Sequence, residues 1–157
     1  MYPATFEKQM KDKNQKYSTE TYYKIDAKEK DYLFISESQI TEAGKGLFTA
    51  IPLYKDDIIS IFKGEVLTTQ EAKSRTLQGR NQYFMNLPDG KILDAANTKC
   101  FAKYANDANG VIKSRLKNNA KISLNENDQV CLVALRKIKS LEEIFCDYGL
   151  VYWKSHQ

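Results

Sequence analysis

A chain of 157 residues with 42% hydrophobic and 28% charged side chains has the composition of one globular domain, long enough to bury about two-thirds of its unfolded surface without metals or disulfides. The formal charge of +4, from 24 basic and 20 acidic residues, is a mild excess and not the clustered stripe of a nucleic-acid binder, so no direct nucleic-acid partner is expected. No apolar run approaches the roughly 18 residues of a membrane span, and the three cysteines (Cys100, Cys131, Cys146) form no C-x-x-C pair, which suggests reduced intracellular thiols and no metal site.

Residues 1–31 form a lysine-rich arm interleaved with acids, with Phe6, Met10 and Tyr17 on the candidate apolar face of a short helix and Tyr22 and Tyr23 available for docking. The N-terminus lacks the charged-then-apolar pattern of a signal peptide, so secretion is not expected. From Tyr32 the character turns to β. Aromatic and branched residues predict a strand over Tyr32–Ser38, and Gly44-Lys45-Gly46 then separates it from the apolar run Leu47-Phe48. Two glycines permit positive φ and close approach of backbone to a ligand. By itself such a loop is a strand-to-strand turn as often as a binding loop, and it lacks the spacing of a phosphate-binding Walker loop.

Asp57–Phe62 reads as a buried strand stopped by Gly64, with a short strand after it. Thr68 followed three residues later by Glu71 has the pattern of a capping box and predicts a helix reaching Leu77. Pro88-Asp89-Gly90 is a turn between Gln82–Leu87 and Lys91–Ala95, and Asn125–Asp128 is the polar loop of a second hairpin. The continuous apolar run Val130–Leu135 implies burial on both faces of its strand. Many short strands, one clear helix and no βαβ rhythm predict a mostly β, α-poor domain without internal repeats.

The C-terminal stretch, Glu142–Trp153, is dense in functional groups for a place where fraying is the ordinary expectation. Its counterpart upstream is Ala102–Gly110, which contains Asn106-Asp107. The ordered set of Gly44-Lys45-Gly46 with Leu47-Phe48, then Gly64-Glu65, Tyr83, Asp89-Gly90, Asp94-Ala95, Asn106, and finally Glu142–Gly149 resembles the SET-domain family of protein lysine methyltransferases, over roughly residues 32–153.

The resemblance implies a SET-type β-clip fold of small curved sheets, in which the asparagine segment and the C-terminal strand form a pseudoknot, an arrangement rare among folds. It also implies transfer of a methyl group from S-adenosylmethionine to a lysine of a protein or peptide, commonly a histone tail, and hence a nuclear site if the substrate is a histone and a cytoplasmic one otherwise. Carried over residue by residue, it places Gly44, Lys45, Gly46, Asn106, Asp107 and Tyr148 at the cofactor. Tyr148 becomes the catalytic tyrosine at the mouth of a lysine channel shared with Tyr83 and Cys146. Tyr83 is also a candidate cofactor contact, and Trp153 a lid over the adenine.

The residue types suit that chemistry. Methyl transfer to an amine is an in-line displacement that needs no metal and only an aimed, neutral nucleophile. A free lysine has a pKa of about 10.4, so exposing its lone pair at pH 7 costs roughly 4 to 5 kcal/mol. Desolvation in an aromatic channel and repulsion by a nearby sulfonium lower that cost.

Two departures from the family pattern stand out. Asp107 occupies the position of a histidine that helps tie the pseudoknot, so the knot must be tied differently or the domain has become a peptide-binding module without turnover. Cys146 stands where the family commonly has Phe or Tyr, and its smaller side chain would admit more than one methyl. The lone His156 precludes a histidine-based triad. Residues 154–157 form a tail, and nothing in the chain identifies an oligomeric interface.

Overall fold

The structure, a computed structural model, describes residues 20–110 and 115–148. Strands dominate it, with only 13% helix. They form three small sheets. In the first, β1 (Tyr23–Lys24), β4 (Asp57–Ile61), β9 (Val130–Ala134) and β8 (Ala120–Leu124) lie in the order β1-β4-β9-β8. The second is β10 (Glu143–Ile144), β3 (Lys45–Thr49) and β2 (Leu33–Glu37), in the order β10-β3-β2. The third is β5 (Glu65–Leu67), β7 (Ile92–Asp94) and β6 (Phe84–Asn86), in the order β5-β7-β6. Helix α1 covers Glu29–Tyr32, α2 covers Thr69–Leu77, and a 3-10 turn covers Ala102–Tyr104.

The expected hairpins form where turn chemistry and apolar runs coincide. In the first sheet β9 lies between β4 and β8 and all five of its residues are buried, which is why its sequence shows no polar alternation. The predicted capping box is present: Thr68 Oγ1 accepts from Glu71 N at 3.2 Å while the Glu71 carboxylate accepts from Thr68 N at 2.8 Å. Arg75 then fastens α2 to the third sheet, donating to Asp94 at 2.7 Å and to Glu65 at 2.8 Å. The main core joins the first two sheets through Leu47, Leu53, Ile59, Ile122, Leu132, Ile138 and Ile144, and a small satellite of Leu67, Ala72 and Phe84 sits beneath α2.

Part of the segment read as an arm is laid against the domain. β1 pairs in parallel with β4, and Tyr22 hydrogen-bonds Ser123 of β8 at 2.9 Å. Lys121 donates to Glu20 at 2.6 Å, and this bond, with one from Tyr22, holds the Glu20 carboxyl below the ordinary carboxylate range. Glu29 at the start of α1 accepts from Ser60 Oγ at 3.0 Å and Ile61 N at 2.9 Å. The predicted apolar face of Phe6, Met10 and Tyr17 lies outside the described residues.

Gly64 is where the entrance to β5 meets the backbone leaving β7. A Cβ added there would lie 2.3 Å from the Asp94 carbonyl oxygen, a backbone atom that cannot swing aside. Gly64→Ala is therefore expected to lower stability by about 1 to 3 kcal/mol through overpacking, read as a reduced urea midpoint at unchanged slope. A substitution with no effect on the midpoint would show that the two strands separate freely.

Candidate functional site

The C-terminal strand passes between two segments that are distant in sequence. On one side Cys146 N donates to Asn106 O at 2.9 Å, with a parallel bridge between Asn106 and Phe145. On the other, Asn119 N and Ala120 N both donate to Phe145 O, at 3.1 and 2.9 Å, and Ala120 bridges Cys146 in parallel. The Asn119 side chain adds two more ties: its Nδ2 donates to Glu143 O at 2.8 Å and its Oδ1 accepts from Phe145 N at 2.9 Å. A primary amide thus does for the strand what a neighbouring peptide group does in a ladder, which removes backbone groups from the unsatisfied state. Farther back, β10 pairs with β3, setting Ile144 opposite Leu47 and Glu143 opposite Phe48.

This crossing positions Tyr148. Its ring is buried, its N–H donates to Asp107 Oδ2 at 2.8 Å, and its hydroxyl donates to Ala105 O. Asp107 answers the first departure noted in the sequence. Its other oxygen accepts from Asn109 N at 2.8 Å and Asn118 Nδ2 at 2.9 Å, and Asn118 Oδ1 in turn accepts from Ala108 N at 2.8 Å. A carboxylate is acceptor-only, so it can collect these donors from both strands. The Asp107 carboxylate ties the crossing directly, with Asn118 as its lateral support.

The Gly44-Lys45-Gly46 segment, read from sequence as a loop, lies outside the strands only at Gly44, with Lys45 and Gly46 opening β3 beside β2, and it meets the crossing through Asn106. Gly44 has φ +73° with open space where a Cβ would be, and Asn106 Nδ2 donates to Lys45 O at 2.9 Å. That bond fixes the amide's orientation, and Asn106 Oδ1 takes no hydrogen bond from the described residues. Below the loop lies Glu143, 0% exposed. Its Oε1 accepts from Ser38 Oγ at 2.6 Å and its Oε2 from Gln39 N at 2.7 Å. A Cβ on Gly46 would fall 2.2 Å from Oε1, so any larger residue there would force the carboxylate to move. The Lys45 ammonium points away and pairs with exposed Glu37.

Lys45, Gly46, Asn106, Asp107 and Tyr148 are thus gathered at one crossing. Tyr83 makes none of the hydrogen bonds of the crossing; it is half-buried against the core, with its carbonyl accepting from Ala95 N at 3.1 Å. Its ring faces Lys103, whose ammonium lies 5.6 Å from the Tyr83 centroid and 5.4 Å from that of Tyr104. The same ammonium donates to the carbonyls of Ala95, Ala96 and Thr98, at 3.2, 3.1 and 3.0 Å. Cys146 is sealed in the core with its thiol against Ala105 O. Trp153 lies outside the described residues. Sequence reasoning noted Asn118-Asn119 where the resembled family often has proline-asparagine but gave Asn119 no role, and it missed Lys103 and the burial of Glu143. The Asn118-Asn119 pair before a strand was the only visible signal.

The family model for the SET domain matches residues 44–149. Among solved structures, similar chains include a humanized mutant of the Chaetomium thermophilum Polycomb Repressive Complex 2 bound to the inhibitor GSK343, at 25% identity and TM-score 0.60. The same complex bound to GSK126 is similar at 26% identity and TM-score 0.60. Each match covers 74% of this chain and 15% of the other, so the chain spans a small part of that protein. No curated protein matches.

Asp107→Ala is expected to cost about 2 to 4 kcal/mol, since it leaves several buried donors unpaired at once; it should also speed hydrogen exchange at the Tyr148 amide far more than at Leu132. Equal exchange at both amides would mean that the crossing does not depend on Asp107. Burial pushes the Cys131 thiol up to about 12 and the Cys146 thiol well above its ordinary value. Neither should react with a disulfide reagent at pH 8 in the native protein, whereas all three cysteines should react in denaturant. Rapid native labelling of Cys146 would show that the strand opens.

Proposed function

The chain belongs to the SET-domain family, and from that footing we propose that it is a protein-lysine N-methyltransferase that uses S-adenosylmethionine. The observation that carries this reading is the meeting of Asn106, the Lys45-Gly46 backbone and Tyr148 at one crossing.

The donor set suits the proposed cofactor. The ligand presents an ammonium and a sulfonium, both cationic, and the crossing offers the acceptors Lys45 O and Asn106 Oδ1. When bound, the cofactor supplies an activated methyl group; the remaining tasks fall to the chain. Asn106, with its amide held by Lys45 O, presents Oδ1 to the amino-acid end of the ligand. The Asn106-Asp107 backbone reads the adenine, and Gly44, with positive φ and no obstruction, allows the loop to approach.

Tyr148 takes the catalytic role. Its hydroxyl donates its proton to Ala105 O, and a phenol oxygen that donates can also accept. It then acts as an acceptor for an amine N–H or for the polarised C–H of the methyl. Burial of the ring excludes water from one side and favours the neutral, nucleophilic amine over the ammonium. Tyr83 belongs to the channel wall in this reading and Trp153 to a lid, whereas Cys146, 0% exposed in the core, lies behind that wall. The substrate is a lysine of a protein, with histone tails the first candidates by family analogy; a histone substrate would place the protein in the nucleus.

Incubation with labelled S-adenosylmethionine, core histones and a whole-cell extract tests the proposal. Label should appear on protein, and Tyr148→Phe should reduce it by about 10²-fold or more while leaving cofactor binding by calorimetry nearly intact. Label confined to non-histone proteins would keep the chemistry and remove the chromatin role. Cofactor binding without label on any protein would favour a peptide-binding module, and absence of cofactor binding would overturn the proposal.

A further inference from the structure

Three carboxylates in this fold are almost completely buried: Asp107, 5% exposed, is bound by the Tyr148, Asn109 and Asn118 donors of the crossing, and the other two, Asp94 and Glu143, are treated differently. Asp94, 3% exposed, is neutralised by the Arg75 guanidinium at 2.7 Å. Glu143 is more deeply buried and takes part in no ion pair among the described residues; those pairs use Glu37, Glu65, Asp94, Asp89, Glu20 and Glu142 instead. Its hydrogen bonds from Ser38 and Gln39 are both from neutral donors. A buried anion without a counter-ion is costly, and a neutral amide of the same shape would serve to hold the turn between β2 and β3 at lower cost.

The position of this charge suggests what repays the cost. Oε1 lies 2.2 Å from where a Cβ of Gly46 would be, so the carboxylate packs directly against the Gly46 backbone, which the methyltransferase reading assigns to the ligand site. The Lys45 ammonium does not neutralise it, being paired with Glu37 at the surface. We propose that Glu143 is a positioning residue whose charge is the buried counter-ion for the sulfonium of S-adenosylmethionine, acting through the Gly46 backbone without touching the ligand. The inference rests on the methyltransferase reading and adds to it a basis for discrimination: the reaction turns a cationic ligand into a neutral thioether, so the attraction disappears when the methyl leaves. Glu143 therefore favours capture of the charged donor and release of the neutral product.

The test compares affinities for S-adenosylmethionine and S-adenosylhomocysteine by calorimetry, in the full chain and in Glu143→Gln. The variant can keep both hydrogen bonds, since its carbonyl accepts from Gln39 N and the Ser38 hydroxyl turns to accept from its amide. The ratio of the two affinities should shift by about tenfold against the cationic ligand, with the neutral ligand nearly unaffected. Ser38→Ala, which removes a hydrogen bond and keeps the charge, should leave the ratio unchanged. Without ligand, Glu143→Gln should melt no lower than the parent protein, because it removes an uncompensated charge. Loss of both affinities by one factor, a lower melting temperature or loss of the fold would overturn the inference, showing that the carboxylate serves only the shape of the loop. Failure of the parent protein to bind either ligand would instead overturn the methyltransferase reading itself.

Discussion

The rest of this structure depends on the satisfaction of backbone polar groups along the C-terminal strand. A strand that leaves a sheet to run between two irregular segments has no regular ladder to pair with, and each buried N–H or C=O left open costs free energy comparable to a lost hydrogen bond. The chain meets the demand with side chains that imitate peptide groups. Asn119 supplies a donor and an acceptor to Glu143 and Phe145, and Asp107 supplies an acceptor to Tyr148. Without them the strand would have little reason to enter the crossing, and Tyr148 would not be held beside Ala105.

The same ties link stability to the site. Asn106 contributes its carbonyl to the crossing through Cys146 N and its side chain to the glycine loop through Lys45 O, so whatever orders the strand also orders the loop. Asp107 shows how a departure from the family pattern can be compensated. Histidine and aspartate differ in charge and shape, but an aspartate flanked by Asn109, Asn118 and the Tyr148 amide has its lone pairs occupied. The changed residue is absorbed by its neighbours, and the crossing survives.

Glycine has two distinct uses here. At Gly64 and Gly46 the missing Cβ is replaced by other atoms, the Asp94 backbone in one case and the Glu143 carboxylate in the other. At Gly64 a side chain would meet fixed backbone, and at Gly46 it would displace a carboxylate. At Gly44 there is ample space and the requirement is the positive φ alone. Two glycines separated by one residue thus answer to different constraints, one conformational and one steric.

Much of the local structure was legible in the residues. The capping box of α2, the Pro88-Asp89-Gly90 turn and the two-sided burial of β9 follow from short-range rules, because propensity, turn chemistry and hydrophobic pattern are properties of adjacent residues. The ordered motifs also pointed to the crossing and to Asn106 and Tyr148. Only the tertiary structure decided how the crossing is tied, where Glu143 sits, and how residues 20–32 lie on the first sheet. No local pattern distinguishes an asparagine that forms a turn from one that closes a strand 24 residues away. Nor does any tell a solvated glutamate from a buried one. Those outcomes depend on which distant segments share the same space, and that is settled by long-range packing and not by the neighbours along the chain.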